Sequence, residues 1–155
     1  MAKNKHYGLL RFVSCLLVII FMVPYGANAE SIETVTPRAS DYLMSYTSYI
    51  CDMGGGELQI WFRVTGVTDC ADIGALSIQL FESTDQVNWT RVAAFSHNNH
   101  EGMLAHDTWQ HMSYVTYQGR ICKYYRAYVC IWGGDGTNGD ARYFWTPVEY
   151  ASPFT

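Results

Sequence analysis

From residue 58 onward the chain keeps a two-residue rhythm. Leu58, Ile60, Phe62 and Val64 alternate with Gln59, Trp61, Arg63 and Thr65, and Leu76, Ile78 and Leu80 alternate with Ser77, Gln79 and Phe81. Successive side chains of a strand point to opposite faces, so this period predicts strands with one buried side. Residues 89–95, 113–117, 124–132 and 142–148 are rich in Val, Tyr, Phe and Trp and read as further strands, as does 46–51. There is no internal repeat and no amphipathic run long enough for a major helix. The one helical signal is local: Ser40 is placed to cap a single turn within 38–44, ahead of Asp41 and Tyr42.

The punctuation between these runs fits antiparallel neighbours. Gly54-Gly55-Gly56, Thr84 through Asn88, and the glycine-rich stretch Gly133 to Asp140 each separate two apolar runs. About seven short strands at this spacing predict a single all-β domain built as a two-sheet antiparallel β-sandwich.

The beginning of the chain follows a different pattern. Lys3, Lys5 and Arg11 precede an unbroken apolar run from Leu16 to Val23, and Ala27-Asn28-Ala29 supplies small residues at a cleavage position. The run is far short of the roughly 20 residues a membrane-spanning helix needs. Residues 1–29 are therefore expected to be a signal peptide, 30–45 an N-terminal extension and 46–150 the sandwich, in a secreted, extracellular protein without a membrane anchor. Past residue 29 the chain carries seven basic against fourteen acidic residues, a formal net charge of −7. Such a surface repels phosphate backbones, which disfavours nucleic acid as a partner.

The segment Tyr125-Arg126-Ala127-Tyr128-Val129 resembles the F strand of immunoglobulin-like and fibronectin type III domains, in which an inward tyrosine is followed by small or branched residues at alternate positions. The resemblance implies that Tyr125, Ala127, Val129 and Ile131 point inward, and that Tyr124, Arg126, Tyr128 and Trp132 point outward. Leu76 through Ser83 with Asn88-Trp89-Thr90, and the stretch from Tyr124 to Trp145, also resemble a family of small secreted Gram-positive bacterial proteins whose domain has no assigned function. That resemblance covers most of residues 38–148 and brings no catalytic residues with it.

Four cysteines follow the signal, and an even count in an exported chain makes disulfides plausible, with three pairings open on number alone. Within the immunoglobulin-like topology Cys51 falls near Cys122, and Cys70 near Cys130. Those are the expected pairs.

Three places offer chemistry. The segment 97–111 holds His97, His100, His106 and His111 with Glu101 and Asp107, ligand types suited to Zn²⁺ or Cu²⁺, although the spacing matches no metal motif. In the stretch 133–140, Asp135, Asn138 and Asp140 offer oxygens suited to Ca²⁺ and the first six residues partly resemble one calcium-binding nonapeptide, but there is a single copy and the glycines make a wide hairpin loop the better reading. The third place is an outward aromatic face in which Tyr124, Tyr128 and Trp132 lie near Phe81, joined by Tyr143 and Trp145 or by Phe144, with Gln79 and Arg126 among the rings. Flat rings beside a few polar groups suit a sugar or an extended peptide, so the expected role is non-catalytic binding of a glycan or protein. No serine-hydrolase elbow occurs, no carboxylate pair stands out, and no cofactor is called for.

Overall fold

In the computed structural model, residues 40–153 are described. The expected signal peptide (1–29) and the extension as far as residue 39 lie outside the described residues. Seven strands follow: β1 (Leu43–Gly54), β2 (Glu57–Ser83), β3 (Thr90–Ser96), β4 (Leu104–Gln118), β5 (Lys123–Gly134), β6 (Gly139–Trp145) and β7 (Glu149–Ala151). Every pairing is antiparallel, and the domain is all-β. Ser40 does cap the chain entry, its Oγ accepting from the Leu43 amide at 2.8 Å, but a strand rather than a helical turn follows.

One strand organises the sheet. The two apolar runs at 58–65 and 76–83, expected as separate strands, belong to the single 27-residue strand β2. Its first half lies between β1 and β4, with Gln59 opposite Cys51 on one side and Thr116 on the other. Its second half lies between β3 and β5, with Ser77 opposite Ser96 and Cys130. β6 and β7 then add to the far side of β5. Hydrogen bonding thus runs through one curled seven-stranded sheet rather than stopping between two.

The curl needs irregularity in the ladder, and the register shifts supply it. Pairing with β4 slips between Thr65 and Cys70, and pairing with β5 slips between Ala75 and Ser77. A bulge adds a residue on one side and bends the strand, which also resets which residues face inward. The inward set accordingly runs Leu58, Ile60, Phe62, Val64, then Ile73 and Ala75, then Ile78 and Leu80, all fully buried. Gly74 is required at the bend: its φ is +148°, and a side chain there would run into the Met103 carbonyl.

These residues share one apolar core with Tyr125, Ala127, Val129 and Ile131 of β5, the inward phase expected for that strand. Tyr125 carries the only polar atom in that set of side chains, and its hydroxyl is fully used. It donates to Glu82 at 2.6 Å and accepts from the Arg120 amide at 2.7 Å. Arg120 closes the loop with a two-pronged ion pair to Glu82. Burial would raise the Glu82 carboxyl, but the hydrogen bonds from Arg120 and Tyr125 outweigh it and hold the group below its ordinary value.

Candidate binding surface on the outer sheet face

The outward side of β5 carries Tyr124, Arg126, Tyr128 and Trp132, with Gln79 and Phe81 of β2 and Tyr143 and Trp145 of β6 on the same face. Between the two possible phases of β6, the strand presents Tyr143 and Trp145, while Phe144 turns inward against Tyr46, 5.0 Å between ring centroids. Aromatic contacts run across the face. Tyr128 packs on Trp145 at 4.8 Å and on Tyr143 at 6.0 Å, and Phe81 meets Trp145 edge-on at 5.2 Å. Tyr124 pairs with Tyr150 of β7 at 5.1 Å. Tyr143 is 61% exposed, Trp145 44% and Tyr150 43%, so a sizeable part of this ring surface is open to solvent.

At the centre lies an arrangement the sequence did not reveal. The Arg126 guanidinium sits 4.2 Å from the Trp89 ring and 4.3 Å from the Trp145 ring, between two indoles. Each indole is fixed by its own local chemistry. Trp89 follows the loop 84–88, where the Asp85 carboxylate accepts from the amides of Val87 and Asn88 and from the Asn88 side chain. Those bonds, the Asn88 amide foremost, hold Asp85 far below the usual carboxylate range. The Trp89 ring nitrogen then donates to the Gln86 carbonyl at 3.0 Å. Trp145 is held by its neighbour Thr146, whose amide donates to the Ala127 carbonyl and whose hydroxyl accepts from the Ala127 amide, both at 2.9 Å. Loss of solvent around Arg126 lowers its pKa from the ordinary guanidinium value.

Arg91 joins this centre from the opposite side. Phe81 is the register partner of Arg91 on β3 and of Arg126 on β5, so the two arginines flank one phenyl ring across three strands. Arg91 donates to Gln79 at 3.4 Å.

Trp132 plays a different part from the one expected. Its ring lies across Gly134 and Gly139, where a Cβ would collide with it, so it closes the β5–β6 hairpin rather than extending the platform. The hairpin loop is self-satisfied: Asp135 accepts from the Thr137 and Asn138 amides and from the Tyr42 hydroxyl, while Asp140 accepts from Ser40 and lies 3.8 Å from Arg142.

The histidines do not converge. His106 lies on β4 beside its register partner Asp72, 2.6 Å away, while His111 bonds the Gly102 carbonyl at 2.7 Å and packs on Phe62. His100 instead meets Phe95, and the His97 amide donates to Leu76. Among the described residues no group of three or more His, Cys, Asp or Glu side chains could hold a metal ion. Residues 104–111 of that segment belong to strand β4, and that spreads His106 and His111 along the sheet.

The expected disulfides are also absent, and Cys51, Cys70, Cys122 and Cys130 are free thiols. For one pair the reason is the pleat. The Cys70 sulfur lies near the position of a Cβ on inward-phase Gly133, whereas Cys130 shares the outward phase of Tyr128 and lies against the Tyr143 hydroxyl. Cys122, for its part, contacts the Tyr150 hydroxyl.

No family model and no curated protein matches the chain. Among solved structures, the chain is similar to Spo0M, a sporulation control protein from Bacillus subtilis, with a TM-score of 0.40 and 12% identity over 70% of this chain and 49% of that one. The chain spans about half the length of that protein.

Proposed function

We propose that this is a secreted, non-catalytic recognition domain that binds a glycan or protein ligand through the outer face of β2, β5 and β6. The observation that carries the reading is the open ring surface of Tyr128, Tyr143 and Trp145 around a guanidinium held between two indoles. Rings deliver apolar area at little entropy cost, and an exposed aromatic patch with polar groups at its centre has the composition of a binding site. The basic, apolar, small-residue pattern of residues 1–29 supports export, and the resemblance to small secreted Gram-positive proteins agrees with it.

Glycan-array and pull-down binding of the wild-type chain and of Tyr128→Ala and Trp145→Ala tests this. Both variants are expected to lose at least about tenfold in affinity while keeping the wild-type circular dichroism spectrum. Wild-type binding by folded variants would remove the aromatic face from recognition.

A further inference from the structure

The Arg126 clamp narrows the ligand class of that same face, and the inference rests on the recognition role just proposed. With an indole over each side, a planar guanidinium can hydrogen-bond only through its in-plane N–H edge. Among the described residues that edge has nothing to bind: Arg126 Nε is buried without a hydrogen-bond partner, and no hydrogen bond holds the terminal nitrogens. Among the described residues neither Arg126 nor Arg91 forms an ion pair, although the chain past residue 29 carries twice as many acidic as basic residues.

The formal charge of −7 repels a polyanion at long range, but at this face a rigid donor fork, a second cation across Phe81 and bare rings alongside are locally complementary to a carboxylate carried on a saccharide ring. We propose that the face reads an acidic, uronate-containing glycan. The carboxylate pairs with the Arg126 fork and is attracted by Arg91, and the sugar rings stack on Tyr128 and Trp145. A peptide docking by strand addition needs a free sheet edge, and β5 is flanked by β2 on one side and by β6 and β7 on the other; an acidic peptide lying across the rings is the competing occupant that poly-glutamate tests.

Affinity electrophoresis of the secreted chain in gels containing polygalacturonate, alginate, a neutral glucan or poly-glutamate tests the assignment. The expected result is retardation by the polyuronates alone, fading as salt rises. Arg126→Gln should weaken it at least about tenfold. Arg91→Gln, at an exposed position, should weaken it several-fold, and Arg126→Lys, which keeps the charge but not the fork, should fall between wild type and Arg126→Gln. Unchanged retardation in folded Arg91→Gln and Arg126→Lys overturns the proposal. So does equal retardation by neutral glucan that Tyr128→Ala abolishes, an outcome that leaves the recognition role standing. Preference for poly-glutamate replaces the glycan with a peptide, and no retardation by any polymer overturns the uronate assignment, while the recognition role stands or falls by the glycan-array and pull-down comparison of Tyr128→Ala and Trp145→Ala.

Discussion

The outer surface has two aromatic faces, one on each half of β2, made from the same residue types. On the first half Trp61 packs on Tyr114 at 4.5 Å with Tyr49 opposite it in register, and Arg63 lies one pleat along, beside Met112. There the polar groups satisfy one another: the Trp61 ring nitrogen donates to Gln59 at 3.1 Å, and Arg63 donates to Gln110 at 3.4 Å. On the second half Arg126 has ring contacts and, among the described residues, no acceptor. Aromatic density alone therefore does not distinguish a recognition surface from a sheet stabilised by cross-strand pairs. What distinguishes the second face is a donor set fixed in position and left unused.

The largest expected effect concerns what both faces share. Phe62→Ala removes a fully buried ring from the common core and should cost about 3–5 kcal/mol in urea denaturation. It should lower the unfolding midpoint of fluorescence probes on both faces together. Separate midpoints would show that the halves are independent and that the comparison is between two units.

Next comes the Glu82 network, which underlies the second half alone. Glu82→Ala removes the carboxylate to which Arg120 and the Tyr125 hydroxyl donate, leaving the hydroxyl only the Arg120 carbonyl at 3.0 Å, and should cost about 1–3 kcal/mol. Because the folded Glu82 carboxyl is held below its ordinary value of 4.5, its contribution is complete above about pH 4.5 and is lost as pH falls through the lower folded value. Glu82→Gln should therefore show a shallower acid loss of stability than wild type. Parallel acid profiles would place the acid sensitivity elsewhere.

Smaller effects separate the faces directly. Trp145→Ala and Trp61→Ala each remove a ring pair and should each cost about 1 kcal/mol, with Trp145→Ala the larger because it also opens the Arg126 clamp. Only Trp145→Ala should affect ligand binding. Smallest of all, Arg63→Gln should change stability by less than about 0.5 kcal/mol, as an exposed substitution does, and leave binding unchanged.

Much of the strand content and facing was legible because alternation is local information. Leu58 through Val64 and Tyr125 through Ile131 face as their period requires. The continuity of β2 was not legible. Gly66, Asp69, Asp72 and Gly74 carry turn-like composition, yet strand β2 runs on through them, with its pairing to β4 interrupted only between Thr65 and Cys70. Leu76 is out of phase for the same reason, since the slip before Ser77 makes Ala75 the buried residue. At the candidate site, Phe81, Tyr124, Arg126 and Tyr128 could be assigned to one face from strand phase. The partners of Arg126 could not, because Trp89 is set by the side-chain bonds of a loop and Trp145 by the choice between two phases of β6.

The length of β2 also bears on how the molecule comes apart. A strand that pairs with four others cannot release one half of the sheet without uncovering core residues of the other, so partial opening costs nearly as much as complete unfolding. Amide protons along Leu58–Val64 and Ile78–Leu80 should then exchange together and slowest, while those of three-residue β7 exchange first.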